Sequence, residues 1–129
     1  MVASSRRLTR AFTLIEMLLV MVVLAMLLTL SVPRYFSSLD KSREVVLAEN
    51  LRVTRLGIDR FFADRGRYPE SLEELVEARY LSALPWDPVL ESQTAWILVP
   101  PPSGENGRVG DLRSAAPGSG KSGKPYADY

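Results

Sequence analysis

The chain has 129 residues, of which 47% are hydrophobic and 24% charged, with a formal net charge of +1. This length accommodates one small domain together with a membrane segment, and the near-zero charge gives no overall basic field for nucleic acid. The sequence contains no cysteine and no histidine, which excludes disulfides, Ser–His–Asp and Cys–His catalysis, and the commonest metal ligand.

The first predicted element is an apolar run, Phe12–Val32, interrupted only by Thr13, Glu16, Thr29 and Ser31. At about 1.5 Å of helical rise per residue, a run of this length spans roughly 30 Å, enough to cross the hydrocarbon core of a bilayer. A carboxylate near the start of such a run is costly in lipid, so its presence predicts a function for that side chain.

Three interpretations of the amino-terminal segment leave something unexplained. A conventional cleaved signal peptide has a shorter apolar region and then a small-x-small site, which is missing after Val32. A twin-arginine export signal is suggested by Arg6 and Arg7, but those signals are less hydrophobic. A plain signal anchor explains the length and the basic flank but does not explain Glu16.

A fourth interpretation rests on the stretch Arg-Ala-Phe-Thr-Leu-Ile-Glu at residues 10–16. It resembles the class III signal of type IV prepilins and pseudopilins, in which prepilin peptidase removes a short basic leader and the new terminal phenylalanine is N-methylated. The resemblance implies cleavage between Ala11 and Phe12, which makes residues 1–11 the leader and Glu16 the fifth mature residue. The family usually has glycine before the cut, where this chain has another small residue.

Pro33 agrees with the same register. The resemblance makes it the twenty-second mature residue, where members of the family carry a helix-kinking proline, and a proline inside a helix removes one backbone hydrogen bond. The alternative is that Pro33 only ends a membrane helix. We hypothesise that Glu16 sets the assembly register by pairing with the cationic amine of a neighbouring subunit's Phe12, because a buried charge is tolerated when it is paired.

The charges that flank the run predict its orientation. Three arginines lie within residues 6–10, whereas basic residues beyond the run are mixed with acidic ones. The positive-inside rule then places the amino terminus in the cytoplasm. Together with this orientation, the resemblance implies a single-pass protein of the bacterial inner membrane. It has a leader at 1–11, the transmembrane half of a long helix at 12–33, and a periplasmic pilin-like domain at 34–129.

The long helix is predicted to continue from Arg34 to about Ala63. Apolar residues recur there at helical spacings and predict a buried face; they are Leu47, Leu51, Ile58, Phe61 and Phe62. A second apolar line is a candidate contact with neighbouring subunits; it consists of Leu39, Val46 and Val53.

The remaining sequence predicts a short helix and two strands. Gly66 favours a left-handed end to the long helix, and a capping box at residues 71–74 starts a helix that reaches about Arg79. Strands are predicted at Thr94–Val99 and Arg108–Arg113. The predicted fold class is α+β, a pilin-like fold in which a long N-terminal transmembrane and amphipathic helix packs on a small antiparallel sheet.

A second resemblance covers residues 66–88. Gly-Arg-Tyr-Pro, then Ser-Leu-x-x-Leu, then Tyr-Leu-x-x-Leu-Pro-x-Asp-Pro is similar to the G-type pseudopilins of type II secretion, although Val89 stands where that family has tryptophan. The resemblance implies a calcium ion near the carboxyl end, with the carbonyls of Leu112 and Ser114 and the acid Asp128 as candidate ligands by position. Calcium prefers six to eight oxygens with several carboxylates.

The alternative to a calcium ion is that Tyr126 and Tyr129 hold the same segment in place by packing. Only the calcium site requires a metal ion. The sequence alone does not decide between the calcium site and tyrosine packing.

The function that the resemblance implies is a structural subunit of the type II secretion pseudopilus, a homo-oligomeric filament that helps drive protein export across the outer membrane. Its implied partners are minor pseudopilins, prepilin peptidase and the inner-membrane secretion platform. The alternatives are a minor pilin of a type IV pilus or DNA-uptake system, and an enzyme. Scattered basic residues do not predict nucleic-acid binding, and the paired acids Glu73 and Glu74 are better explained by a helix cap and a solvated face.

Overall fold

The computed structural model describes residues 11–129, so the predicted leader lies outside the described residues except for Ala11. The elements, in chain order, are helix α1 (Leu14–Arg65), helix α2 (Leu72–Glu77), strand β1 (Trp96–Val99), strand β2 (Asp111–Ser114) and a 3-10 helix (Tyr126–Asp128). The chain divides into a first unit that ends at Ser37 and a second unit, Ser38–Tyr129.

The first unit contains the apolar part of α1. Every side chain from Ala11 to Ser37 is exposed, and Leu14 reaches 92% exposure. Among the described residues, α1 is the helix that is long and apolar enough to cross a membrane. A continuous apolar surface of this size is stable only against lipid or against other chains.

Pro33 lies inside α1, which continues beyond it to Arg65. The alternative that Pro33 ends the membrane helix is therefore wrong. The proline removes one backbone hydrogen bond and crowds the preceding turn, but both sides of it remain helical.

The core of the second unit forms on the buried face of α1. Its members come from α1, α2, both strands and the loops beside them; they are Leu47, Leu51, Ile58, Phe61, Leu72, Leu75, Leu81, Trp96, Val109 and Leu112. The predicted helical face is thus confirmed, except that Phe62 is half-buried and stacks on Tyr68 with ring centroids 4.6 Å apart. In the second apolar line, Val46 and Val53 are each 43% exposed, so that line does not belong to the core.

Helix α2 begins at the predicted cap and ends earlier than predicted. The Ser71 hydroxyl accepts a hydrogen bond from the Glu74 amide at 3.2 Å. Arg79 has a φ of 65°, and the amides of Tyr80 and Leu81 turn back to the Leu75 carbonyl. A left-handed residue ends a helix, so the last helical residue is Glu77.

The two strands are antiparallel, with Trp96 opposite Ser114 and Val99 opposite Asp111. A two-stranded sheet is marginal by itself. Here Trp96 and Leu112 join the core that the helices form, and the Trp96 indole donates to the Pro85 carbonyl at 3.0 Å. The predicted α+β class is confirmed.

The second strand was predicted three residues too early. The amides of Arg108 and Val109 donate to the Pro69 carbonyl, at 3.1 and 2.9 Å, and not to a neighbouring strand. The prolines at residues 100–102 carry no amide proton, so the ladder cannot extend beyond Val99. Strand β2 therefore begins only at Asp111.

Candidate functional site

Helix α1 begins with a reciprocal pair of hydrogen bonds between Thr13 and Glu16. The Glu16 amide donates to Thr13 Oγ1 at 3.2 Å, and the Thr13 amide donates to Glu16 Oε2 at 2.9 Å. This is a capping box, which satisfies two amides that a helix otherwise leaves unpaired. The sequence predictions did not include it, although Thr-x-x-Glu before an apolar run is its usual pattern.

The cap explains why a carboxylate is tolerated at this end of an apolar helix. An acid in the first turn also interacts favourably with the helix dipole. The cap engages Oε2 of Glu16, and a carboxylate has two oxygens with several acceptor positions. Capping and pairing with a cation from another chain are therefore compatible.

The predicted cleavage site, Ala11–Phe12, directly precedes this cap. Both residues are exposed and lie outside α1, which starts at Leu14. The predicted bond therefore lies outside the helix.

The candidate calcium ligands contact other groups of the protein. The Leu112 carbonyl accepts a hydrogen bond from Arg55 Nη2 at 3.1 Å. Ser114, whose carbonyl is the second candidate, lies opposite Trp96 in the two-stranded ladder. Asp128 is exposed, in the 3-10 helix. Within residues 11–129 there is no cluster of three or more His, Cys, Asp or Glu side chains that could hold a metal ion. This donor set does not fit calcium, which prefers several carboxylates.

Asp87 is a fully buried carboxylate that organises the loop before β1. Its Oδ1 accepts hydrogen bonds from the amides of Val89 and Leu90 at 2.9 and 3.1 Å, and its Oδ2 accepts one from the Ser114 hydroxyl at 2.6 Å. Its backbone also pairs with Ser92. The Asp-Pro motif of the sequence therefore has a structural role, since it joins this loop to β2.

The start of α2 carries an ion pair between Arg67 and Glu74. Arg67 Nη2 lies 2.5 Å from Glu74 Oε1, and the Glu70 amide donates to Glu74 Oε2 at 2.7 Å. The Arg67 guanidinium, followed by the Glu70 amide, holds the pKa of the Glu74 carboxyl below its ordinary value. Of the predicted capping box, the Ser71 hydroxyl forms its half. The Glu74 carboxylate pairs with the Glu70 amide and Arg67 in place of the Ser71 amide, and so anchors the turn that precedes α2.

The lowered pKa of Glu74 predicts how stability depends on pH. Its contribution is fully present above the unfolded pKa of about 4.3 and is lost as the pH falls through the lower folded value. Thermal unfolding of the native chain and of Glu74→Gln should therefore differ at neutral pH, by about 1 kcal/mol, and converge in acid. Glu73→Gln, an exposed neighbour in the same turn, is the control; an equal effect there would contradict the prediction.

Two charged residues of α1 hold the carboxyl-terminal segment, which we define as residues 118–129. Glu44 is only 8% exposed; it accepts hydrogen bonds from the Lys121 amide and, at 3.4 Å, from the Tyr129 hydroxyl. Arg55 donates to the Tyr129 backbone oxygen at 2.7 Å. Burial, followed by the nearby carboxylates of Glu44 and Asp40, raises the pKa of the Tyr126 hydroxyl.

The contacts of Tyr126 and Tyr129 support the alternative to calcium, in which these two side chains hold the segment in place by packing. Tyr126 and Tyr129 are partly buried against the core, with ring centroids 6.0 Å apart. Neither Glu44 nor Arg55 was predicted from sequence as a contact of this segment, because each meets a residue more than seventy positions away.

Comparisons with known proteins agree with the amino-terminal pattern and extend it to most of the chain. Residues 6–32 match the family described as the prokaryotic N-terminal methylation motif. The type II secretion system core protein G of Escherichia coli (strain K12) is 31% identical in an alignment 124 positions long, which covers 84% of this chain and 81% of that protein. No solved structure matches the chain.

Proposed function

Since this chain belongs to the family of the type II secretion system core protein G, and is a structural subunit of a pseudopilus, we propose that it works by assembly alone. The observation that carries this proposal is the uncovered apolar surface of residues 11–37. Such a surface is stable in lipid before assembly and among neighbouring helices after it. A chain of this kind needs no active site, and we propose that it is not an enzyme.

We propose a single-pass arrangement in the bacterial inner membrane. The amino terminus lies in the cytoplasm, residues 12–33 span the membrane, and residues 34–129 form a periplasmic domain. The arginines within residues 6–10 support this orientation through the positive-inside rule. The exposed apolar helix that follows them supports the anchoring.

We propose that prepilin peptidase removes residues 1–11 and that Phe12 is then N-methylated. The match to the methylation motif spans this bond. The exposure of Ala11 and Phe12 ahead of the helix cap supports access by the peptidase. After cleavage, the amine of Phe12 is the cation that Glu16 of an adjacent subunit would meet, and Pro33 lets the helix adjust at the end of the membrane span.

The proposed partners are further copies of this chain in a homo-oligomeric filament, minor pseudopilins, and the inner-membrane secretion platform. No nucleic acid is proposed as a partner, since the formal net charge is only +1. The similarity to a secretion-system core protein over most of the chain favours the pseudopilus over a minor pilin of a type IV pilus or DNA-uptake system.

Processing is tested by mass spectrometry of the chain purified from cells with and without prepilin peptidase. We expect a mature form that begins at N-methylated Phe12 only when the peptidase is present. Ala11→Gly should be processed normally, because a small residue fits the peptidase cleft, whereas Ala11→Leu should remain full-length and be absent from filaments. Processing at another bond, or assembly of the uncleaved Ala11→Leu chain, would contradict the proposal.

A further inference from the structure

The Arg55 guanidinium lies at a point where three oxygen acceptors converge. Its Nε donates to Asp111 Oδ1 at 2.8 Å. Its Nη2 donates to the Leu112 carbonyl at 3.1 Å and to the Tyr129 backbone oxygen at 2.7 Å. A planar guanidinium presents five donors in a fixed fork, so one side chain can serve several oxygens at once.

These acceptors belong to two separate parts of the chain. Asp111 and Leu112 start β2, whereas Tyr129 lies in the carboxyl-terminal segment. Arg55 itself belongs to α1, so its side chain links three parts of the second unit. Glu44 contacts the same segment from three helical turns earlier, because eleven residues bring two side chains back to nearly the same face of a helix.

The charge around Arg55 disfavours a divalent cation. The cleft beside it is lined by three cationic side chains and two carboxylates; they are Arg55, Arg113, Lys124, Asp111 and Asp128. Calcium would add two positive charges beside three cationic side chains, and it would compete for oxygens that the guanidinium engages. Two carboxylates, one of them paired with Arg55, fall short of the several that calcium prefers.

We propose that the Arg55 guanidinium is the built-in cation of this chain. It takes the role that the family resemblance implies for a calcium ion and holds the carboxyl-terminal segment against β2 and α1. The second unit consequently folds without calcium. This inference concerns the fold of that unit and does not depend on how the filament assembles.

The first test uses the full native chain in a mild detergent. Its thermal midpoint should be the same in excess chelator and in millimolar calcium, and calorimetric titration with calcium should show no saturable binding. A midpoint that falls in chelator and recovers with calcium would overturn the proposal. So would stoichiometric calcium binding.

The second test removes the guanidinium. Arg55→Met keeps most of the side-chain volume and should lower the midpoint by about 5–10 °C, because charge-assisted hydrogen bonds to three oxygens are lost. Arg55→Lys should lower it less, since one ammonium cannot reach all three acceptors in the same geometry. Arg52→Met is the matched control, because Arg52 lies on the same helix and forms an exposed ion pair with Glu49, its neighbour on that helix.

Limited trypsin digestion shows whether the destabilisation by Arg55→Met affects the carboxyl-terminal segment. Cleavage after Lys121, within the carboxyl-terminal segment, should be at least about tenfold faster in Arg55→Met than in Arg52→Met, because the segment opens locally when its anchor is lost. Equal rates in the two variants would overturn the proposal. If Arg55→Met does not fold, the calcium measurements on the native chain and the comparison with Arg55→Lys still decide.

Discussion

Replacing Glu16 by alanine is expected to leave membrane insertion intact and to reduce incorporation into filaments by more than about a hundredfold. Removing one partner of a buried charge pair costs about 3–5 kcal/mol, and each 1.4 kcal/mol is a factor of ten. The reason is that the cationic amine of the neighbouring Phe12 would be buried without a partner. The measurement is the fraction of the chain in sheared filaments relative to the fraction in the inner membrane.

The capping box makes a sharper version of this experiment available. Glu16→Gln keeps an amide oxygen that can accept the Thr13 amide, so it preserves the cap and removes only the charge. We expect it to be as defective as Glu16→Ala. Thr13→Val keeps the charge and removes the hydroxyl half of the cap, which costs about 1 kcal/mol of helix stability, so it should assemble nearly normally.

The outcome for Glu16→Gln distinguishes the two roles of this carboxylate. If the glutamine variant assembles like the native chain while Glu16→Ala fails, the side chain acts only as a helix cap and the register hypothesis is wrong. If Thr13→Val is as defective as Glu16→Ala, the cap is again the essential feature. Processing at Ala11–Phe12 serves as the internal control, since all three variants should still be cleaved.

Sequence predicted the features that depend on local patterns. The helical spacing of Leu47, Leu51 and Ile58 was sufficient to identify the buried face of α1, because a helix places such residues on one side. Ser71, which caps α2, and Gly66, which has a φ of 68° after the end of α1, were predicted because capping involves residues only a few positions apart. The Thr13–Glu16 capping box could have been predicted in the same way, because its two residues are only three positions apart.

Sequence could not predict the contacts that join distant positions. Arg55 meets Tyr129 across 74 positions, and Glu44 meets Lys121 across 77; no local pattern encodes either pair. The calcium ion was expected because residues 112–128 occupy the positions of ligands in the family. That comparison of positions could not show that Arg55, from α1, reaches the same oxygens. The early start predicted for β2 has a related cause, since the amides of Arg108 and Val109 are engaged by Pro69, about forty residues earlier.

The second large effect is expected at Asp87, where alanine should destabilise the second unit by about 3–6 kcal/mol. The substitution leaves the amides of Val89 and Leu90 and the Ser114 hydroxyl without their acceptor, and a buried unsatisfied group costs about 1–3 kcal/mol. The two amides are only partly buried, so we place the total in the lower part of the range that three such groups would give. Since domains are stable by only about 5–15 kcal/mol, a loss of this size removes a large fraction of the stability, and we expect the variant to unfold at a much lower denaturant concentration. The measurement is denaturant unfolding of the full chain in detergent.

Two milder substitutions divide this effect between the loop and the strand. Asp87→Asn retains an acceptor for the loop amides, and its new amide can donate to a Ser114 hydroxyl that rotates to accept, so the loss should be only about 1–2 kcal/mol. Ser114→Ala removes this contact and also the acceptor of the Ala116 amide, which donates to Ser114 Oγ at 3.2 Å. It leaves the loop amides paired with Asp87, and its cost should fall between the two. The double variant Asp87→Ala, Ser114→Ala should be less destabilised than the sum of the single ones, because the two side chains share one hydrogen bond. Strict additivity would mean that the 2.6 Å contact between Ser114 Oγ and Asp87 Oδ2 contributes nothing, and that Asp87 stabilises only its own turn.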